Sequence, residues 1–233
     1  INFLILGFVM GVTSGFAVVT AQRFGAGDEA GVRRSVATSI ILSIAVTVVV
    51  TLISVLGTMP LLRLMNTPED IIDDAYSYIV VIFLGIAASV LFNLFSCILR
   101  SLGDSRTPLI FLIIACLLNI GLDFACILIF KMGVAGAAWA TIAAQLIAGL
   151  LCMGYSFKRF PILRLHKEDF KFDWAFAWHH LRIGLPMAFQ FSITAVGTMV
   201  LQAALNNLGS ASVAAFTAAS KIDQLASQPL QSL

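Results

Sequence analysis

Seven apolar runs separated by short polar turns make up nearly the whole chain. They cover about residues 1–21, 35–60, 76–99, 109–130, 132–157, 183–206 and 211–233. A helix of about 20 apolar residues crosses a hydrocarbon core about 30 Å thick, and the complete runs have that length. The pattern therefore predicts an all-α, polytopic bundle of membrane helices.

Composition supports a membrane protein and excludes several other classes. The 233 residues are 60% hydrophobic and 11% charged, with a mean hydropathy of +0.99, which is far from a soluble domain. The net charge of +2 comes from short loops rather than from one basic face, so we expect no nucleic-acid partner. Because the chain begins and stops inside apolar runs, we expect it to be part of a longer protein. Four cysteines lie in the runs without metal-ligand spacing and are interpreted as core residues: Cys97, Cys116, Cys126 and Cys152.

The basic residues predict how the helices are oriented. Loops 22–34, 100–108 and 158–182 contain 11 of the 14 Lys and Arg residues. The positive-inside rule places these three loops in the cytoplasm, and the acidic loop around residues 69–74 outside.

One acidic residue, Asp123, lies inside the apolar run 109–130. A charged Asp at the centre of a membrane helix costs about 2.5–3.5 kcal/mol, so such residues usually have a function. Asn119 precedes it by one helical turn and shares its face, and the next run places Thr141 and Gln145 in a similar layer. A carboxyl that alternates between wet and dry surroundings can load and release a proton. The alternative is that Asn119 and Asp123 have only a structural role and hydrogen bond to neighbouring helices.

Other polar residues in the runs are possible cavity-lining positions. Gln190 lies in the run 183–206, and Lys221 and Asp223 lie in the last run. Either that last run borders a water-filled cavity, which we favour, or its two charges are interfacial.

The first run and the last basic loop contain further local signals. Small residues at Gly7, Gly11 and Gly15 form a face that permits close helix packing. Asp173 is a predicted helix N-cap, and the aromatic residues after it suit a helix lying at the membrane interface. The three histidines have no metal-ligand spacing and are interpreted as interfacial or solvated: His166, His179 and His180.

Two turns of similar sequence carry a family resemblance: residues 21–28 (AQRFGAGD) and 100–108 (RSLGDSRTP). Gly allows the tight reversal, Asp can cap the next helix, and Arg keeps the loop cytoplasmic. Together with the Asn119 and Asp123 pair, residues 133–138 (GVAGAA) and residues 182–186 (RIGLP), these turns resemble the MATE family of multidrug efflux antiporters.

The resemblance implies a MATE-like fold of two six-helix lobes, of which this chain contains the first lobe and the start of the second. Residues 1–157 would be the N-terminal lobe from part of helix 2 to helix 6, 158–181 a cytoplasmic linker, and 182–233 helix 7 and part of helix 8. In the DinF-like branch the cation site resembles Asn119, Asp123 and Thr141. The NorM-like branch uses an acidic residue on helix 7, which the run 183–206 lacks, so we assign the DinF-like branch.

The implied function is export of a lipophilic or cationic small molecule across the cytoplasmic membrane in exchange for H⁺ or Na⁺. Membrane lipid would be the other partner, the protein would be a monomer, and it would need no cofactor. Na⁺ at Asp123 would be its only metal ion.

The sequence leaves three other classes to compare. A lipid-linked oligosaccharide flippase shares similar turns but tends to line its cavity with several basic residues. An intramembrane enzyme would need a nucleophile, a metal set or an Asp-rich site, and the sequence shows none, so we expect no enzyme. A structural scaffold would tolerate Asp123→Leu.

Overall fold

Helices account for nearly all of the part of the chain that the computed structural model describes, residues 2–64, 72–129, 133–171, 173–207, 216 and 219–220. No β-strand occurs in these residues, and the all-α prediction is confirmed. The α-helices are α1 (Asn2–Gly25), α2 (Glu29–Leu64), α3 (Ile72–Leu84), α4 (Ile86–Ser101), α5 (Arg106–Phe124), α6 (Gly133–Arg159) and α7 (Trp174–Asn207). A π-helical turn, Ala125–Ile129, continues α5, and two 3-10 turns, Pro161–Leu163 and Lys167–Phe170, precede α7.

The predicted apolar runs before residue 207 lie in these helices and in the π-helical turn, wherever the structure describes them. Within the described residues, five stretches are long and apolar enough to cross a membrane: Leu4–Gly25, Glu29–Pro60, Ile79–Ser101, Arg106–Ile127 and Gly136–Arg159. The run 183–206 lies in α7. The run 211–233, with Lys221 and Asp223, falls almost entirely outside the described residues.

The two turns of similar sequence also have the same backbone geometry. Gly27 and Gly103 have φ angles of 73° and 86°, a region that residues with a side chain rarely adopt. At each turn the following Asp amide donates back to the preceding helix, Asp28 to the Arg23 carbonyl (3.1 Å) and Asp104 to the Leu99 carbonyl (3.0 Å). These bonds close the helix C-terminus in the manner of a Schellman motif.

The same aspartates then begin the next helix. Asp28 Oδ1 accepts a hydrogen bond from the Gly31 amide at 2.8 Å, and Asp104 Oδ1 accepts one from the Thr107 amide at 3.0 Å. Each Gly-Asp pair therefore ends one helix and caps the next, as the sequence predicted.

The three basic loops meet at one end of the bundle. A buried cluster there joins α2, α4 and α6 to the first 3-10 turn through residues that include Val32, Leu102, Cys152 and Leu163. Arg34 Nη2 lies 2.6 Å from Asp173 Oδ2, and Arg33 Nε lies 3.9 Å from Asp169 Oδ2. The segment between α6 and α7 is thus fixed to the start of α2, with the basic loops on one side as the charge pattern predicts.

Close packing of α1 against α7 uses the predicted small-residue face. A Cβ on Gly11 would come 2.6 Å from the Ala188 Cα, and one on Gly15 would collide with the Gly184 Cα. The two backbones therefore touch where both helices carry small residues four positions apart, which confirms that this face packs against a helix.

The start of α7 confirms one prediction and corrects another. Asp173 does cap the helix, since its Oδ1 accepts from the Ala175 amide at 2.9 Å. The helix then runs without interruption to Asn207, so the aromatic residues form its first turns, and their location at the membrane interface stays a prediction. His180 is fully buried rather than interfacial or solvated; one ring nitrogen lies 2.9 Å from Ser35 Oγ and the other 2.9 Å from the Phe176 carbonyl. The physical reason is that Ala177 and His180 pack against α1 and α2 inside the bundle.

By its internal contacts the chain divides into two units, Ile1–Phe191 and Ser192–Leu233. The first contains α1 to α6 and the N-terminal half of α7. In the second, the described residues are 192–207, 216 and 219–220. The domain boundaries at 157/158 and 181/182 stay predictions.

Candidate functional site

Asp123 lies near the end of α5, about 26 Å along the helix from Arg106. The π-helical turn begins two residues later, at Ala125. Such turns are rare and occur frequently at functional sites, because one extra residue per turn displaces the backbone from its regular path. The Asp123 Oδ1 atom is inaccessible to solvent and hydrogen bonds to no group in the described part of the chain.

Asn119 and Thr141 connect α5 to α6 next to this carboxyl. The Asn119 Nδ2 donates to Thr141 Oγ1 at 3.3 Å, and the Thr141 hydroxyl donates to the Ala137 carbonyl at 2.9 Å. The structure therefore brings together Asn119 and Thr141, two of the three residues of the predicted cation site. The contact also fixes the face of α5 on which Asn119 and, one turn later, Asp123 lie.

Apolar side chains surround Asp123. An open cleft of about 340 Å³ is lined by Ile120, Asp123, Phe124 and Ile127, all from the last turns of α5 and the π-helical turn. A carboxyl in such surroundings is stabilised as an ion only when water, a cation or a donor reaches it.

Of the other predicted cavity residues, Gln145 contacts a different helix. The Gln145 side chain accepts a short hydrogen bond from Ser89 of α4, so it faces α4 rather than the Asn119 and Asp123 pair. Gln190 is an exposed residue of α7. Lys221 and Asp223 lie outside the described residues.

Asp123 supplies carboxylate oxygens, and the Asn119 and Thr141 contact one helical turn away contains an amide oxygen and a hydroxyl oxygen. Such a set suits a proton or a hard cation, which prefers carboxylate, carbonyl and hydroxyl oxygens. Among the described residues, no three His, Cys, Asp or Glu side chains are placed to hold a metal ion.

Sequence reasoning missed the buried polar contacts at the basic end of the bundle. The hydroxyls of Thr20 and Ser35 lie 2.9 Å apart, and Ser35 continues the chain of hydrogen bonds to His180. These residues are separated by 15 and 145 positions, and no local pattern in the sequence connects them.

The family profile described as MatE matches residues 1–125, more than half of the chain. The chain belongs to the MatE family. A probable multidrug resistance protein of Bacillus subtilis, YpnP, is 31% identical over 229 residues, which cover 97% of this chain and 50% of that protein. A second B. subtilis protein named as a probable multidrug resistance protein, YoeA, is 29% identical over 238 residues, covering 99% of this chain and 51% of its own length.

Solved structures of this family have the same fold. The outward-facing conformation of a multidrug resistance MATE family transporter superposes with a TM-score of 0.88 at 27% identity, covering 98% of this chain and 51% of that one. The MATE-like fold, the family assignment and the multi-pass membrane location are thereby confirmed. The superposed structure is that of a transporter. The chain spans about half the length of the curated relatives it matches.

Proposed function

We propose that the full-length protein exports lipophilic or cationic small molecules across the cytoplasmic membrane in exchange for H⁺ or Na⁺, with Asp123 as the coupling carboxyl. The observation that carries this proposal is the buried Asp123 oxygen, which has no hydrogen-bond partner among the described residues. It lies two residues before a π-helical turn and one helical turn after Asn119. The relatives named as multidrug resistance proteins support the type of cargo.

The proposed cycle depends on the charge of Asp123. When the carboxyl is neutralised by H⁺ or paired with Na⁺, α5 can pack its Ile120 and Phe124 side chains without water near the carboxylate. When it is charged and empty, the same face requires water, which favours a more open packing of α5 against α6. An ion that binds one packing better than the other shifts the population between them. The two lobes would then rock about their interface and change the side to which the cargo site opens.

Asn119 and Thr141 would act as positioning residues in this cycle. Their hydrogen bond holds α5 and α6 in one register. The remaining amide oxygen of Asn119 and the Thr141 hydroxyl supply further oxygens for Na⁺, while a proton requires only the carboxyl. Whether the coupling ion is H⁺ or Na⁺ therefore depends on whether Asn119 and Thr141 add oxygen ligands to the carboxylate of Asp123.

The test is efflux from proteoliposomes that contain the full-length protein, with H⁺ and Na⁺ gradients imposed separately. We expect wild-type efflux to follow one gradient, and Asp123→Asn to reduce it to the level of empty liposomes at equal protein content. The control is Asp104→Asn, which changes a carboxyl at the opposite end of the same helix. Unchanged efflux in Asp123→Asn would contradict the proposal and assign Asp123 a purely structural role in helix packing.

The scaffold and flippase hypotheses predict different outcomes. A scaffold tolerates Asp123→Leu without any loss of function. A flippase would move a lipid-linked sugar in the same liposomes, and the names of these relatives give that reading no support.

A further inference from the structure

A second cavity lies between α2, α4 and α6, and it shares no lining residue with the cleft at Asp123. Its volume is about 420 Å³, within the range of small-molecule sites. Twelve residues line it, and nearly all contribute apolar surface, including Ile44, Leu91, Phe95 and Met153.

Two hydroxyl groups of α2 interrupt this apolar lining. Ser43 and Thr47 are 2% and 8% exposed, and both line the cavity. Neither hydroxyl oxygen has a hydrogen-bond partner among the described residues. The hydroxyl of Thr58, further along the same helix, instead donates to the carbonyl four residues earlier, at 2.7 Å. The hydroxyls at the cavity therefore lack the local bond that a Ser or Thr in a membrane helix commonly makes.

The position of the cavity favours entry from the membrane. Ile44 and Val48 at its edge are 60% and 51% exposed, on a helix long and apolar enough to span the bilayer. At the other end Phe157 lines the cavity next to the exposed Lys158 and Arg159, where the basic loops lie. Along α2 the lining runs from Ile40, about 16 Å after Glu29, to Val48, about 28 Å after it, so it reaches from near the basic end towards the middle of the span.

From these observations we propose that the cavity binds a lipophilic small molecule that carries a hydrogen-bond acceptor, such as an aromatic ketone, ether or amine. The apolar walls bind its hydrocarbon part, and the Ser43 and Thr47 hydroxyls donate to its acceptor atom. A lipid acyl chain fills the apolar volume but leaves both hydroxyls unbonded, so it fits less well. Only the role of this site in taking up export cargo from the membrane depends on the proposed function; the binding itself does not.

Benzophenone is a suitable probe, because it is lipophilic, its carbonyl is an acceptor, and light makes that carbonyl react with nearby C–H bonds. Full-length protein in liposomes is irradiated with increasing benzophenone, and labelled peptides are located by mass spectrometry. We expect saturable labelling at cavity residues, with Met153 or Leu91 among them.

Substitutions in the cavity distinguish binding at this site from nonspecific partition of benzophenone into the lipid. Combining Ser43→Ala with Thr47→Val should raise the half-saturating concentration about fivefold, as expected for a lost hydrogen bond. Ala87→Phe, which fills the cavity from its lipid-exposed edge, should abolish saturable labelling. The matched control is Ser39→Ala. Ser39 is also buried on α2, and its hydroxyl has no hydrogen-bond partner in the described part of the chain, but it does not line the cavity.

Three results would overturn the proposed site. They are labelling that does not saturate, labelling spread evenly over lipid-exposed residues, and labelling that is the same in the double variant. No labelling at all, as when another segment of the full-length protein covers the cavity, would overturn it as well. Saturable labelling in a protein that shows no gradient-driven efflux would retain the site and reject the proposed function.

Discussion

The side-chain amide of Asn119 donates to the hydroxyl of Thr141 at 3.3 Å, across the interface of α5 and α6. This contact lies one helical turn before Asp123, the proposed coupling residue, and it joins α6 to the same face of α5.

Thr141→Val should weaken ion coupling without unfolding the protein. The substitution leaves the Asn119 amide without its acceptor on α6, so the orientation of this face of α5 is less fixed. We expect the ion concentration that gives half-maximal efflux to rise about fivefold, the factor for one hydrogen bond. The control is Ser89→Ala, which removes a hydrogen bond between α4 and α6 but leaves α5 unchanged. Equal effects of the two variants would show that Thr141 has only a structural role.

Gly15→Ala should destabilise the protein, because a Cβ there would collide with the backbone of Gly184 on α7. Overpacking of this kind costs about 1–3 kcal/mol, which thermal unfolding in detergent can measure. Gly154→Ala on α6 is the matched control, since a Cβ there has no neighbour within 4 Å. It should stabilise the protein by about 0.5–1 kcal/mol through the higher helix propensity of Ala. The same sign for both variants would contradict the close contact.

Gly27→Ala and Gly103→Ala should each lower the free energy of unfolding by about 1–2 kcal/mol, because both positions have positive φ. A Cβ has open space at both, so any loss comes from the backbone alone. Gly25→Ala serves as the control, as it also has open space but not a positive φ. Denaturation of the three variants under one condition checks the prediction, and an equal response in all three would reject it.

The carboxyls of Asp104 and Asp173, which lie just before α5 and α7, should make the protein less stable in acid. Partial burial tends to raise the pKa of Asp104, but the hydrogen bonds from the Thr107 hydroxyl and amide hold it below its ordinary value of 3.8. The hydrogen bond from the Ala175 amide, with the nearby Arg34, likewise lowers the pKa of Asp173.

A carboxyl whose pKa is lower in the folded state stabilises that state fully above its ordinary pKa, and this contribution is lost as the pH falls through the folded value. The free energy of unfolding should therefore decrease on acidification below about pH 4. Melting temperatures between pH 7 and pH 3 should show a smaller decrease when Asp104→Asn and Asp173→Asn are combined. An identical pH dependence would mean that neither carboxyl contributes.

The sequence by itself determined the features that depend on neighbouring residues. Apolar run length predicted the helices, since a helix buried in lipid must satisfy its own backbone hydrogen bonds. Gly27 with Asp28 and Gly103 with Asp104 predicted turns, because positive φ and capping are local requirements. Asp123 was recognisable as exceptional because an acidic residue inside an apolar run is visible in the sequence before any of its partners is known.

Only the tertiary structure decided which distant groups meet. Gln145 could have faced Asp123 by its spacing, yet it bonds to Ser89, because the register of α6 against α4 and α5 depends on packing along the whole helix. His180 looked interfacial from its aromatic neighbours, but α7 packs against α1 and α2 and buries it against Ser35. The empty volume beside Ser43 and Thr47 exists only where three helices fail to fill the space between them, and no one-dimensional pattern records such a gap.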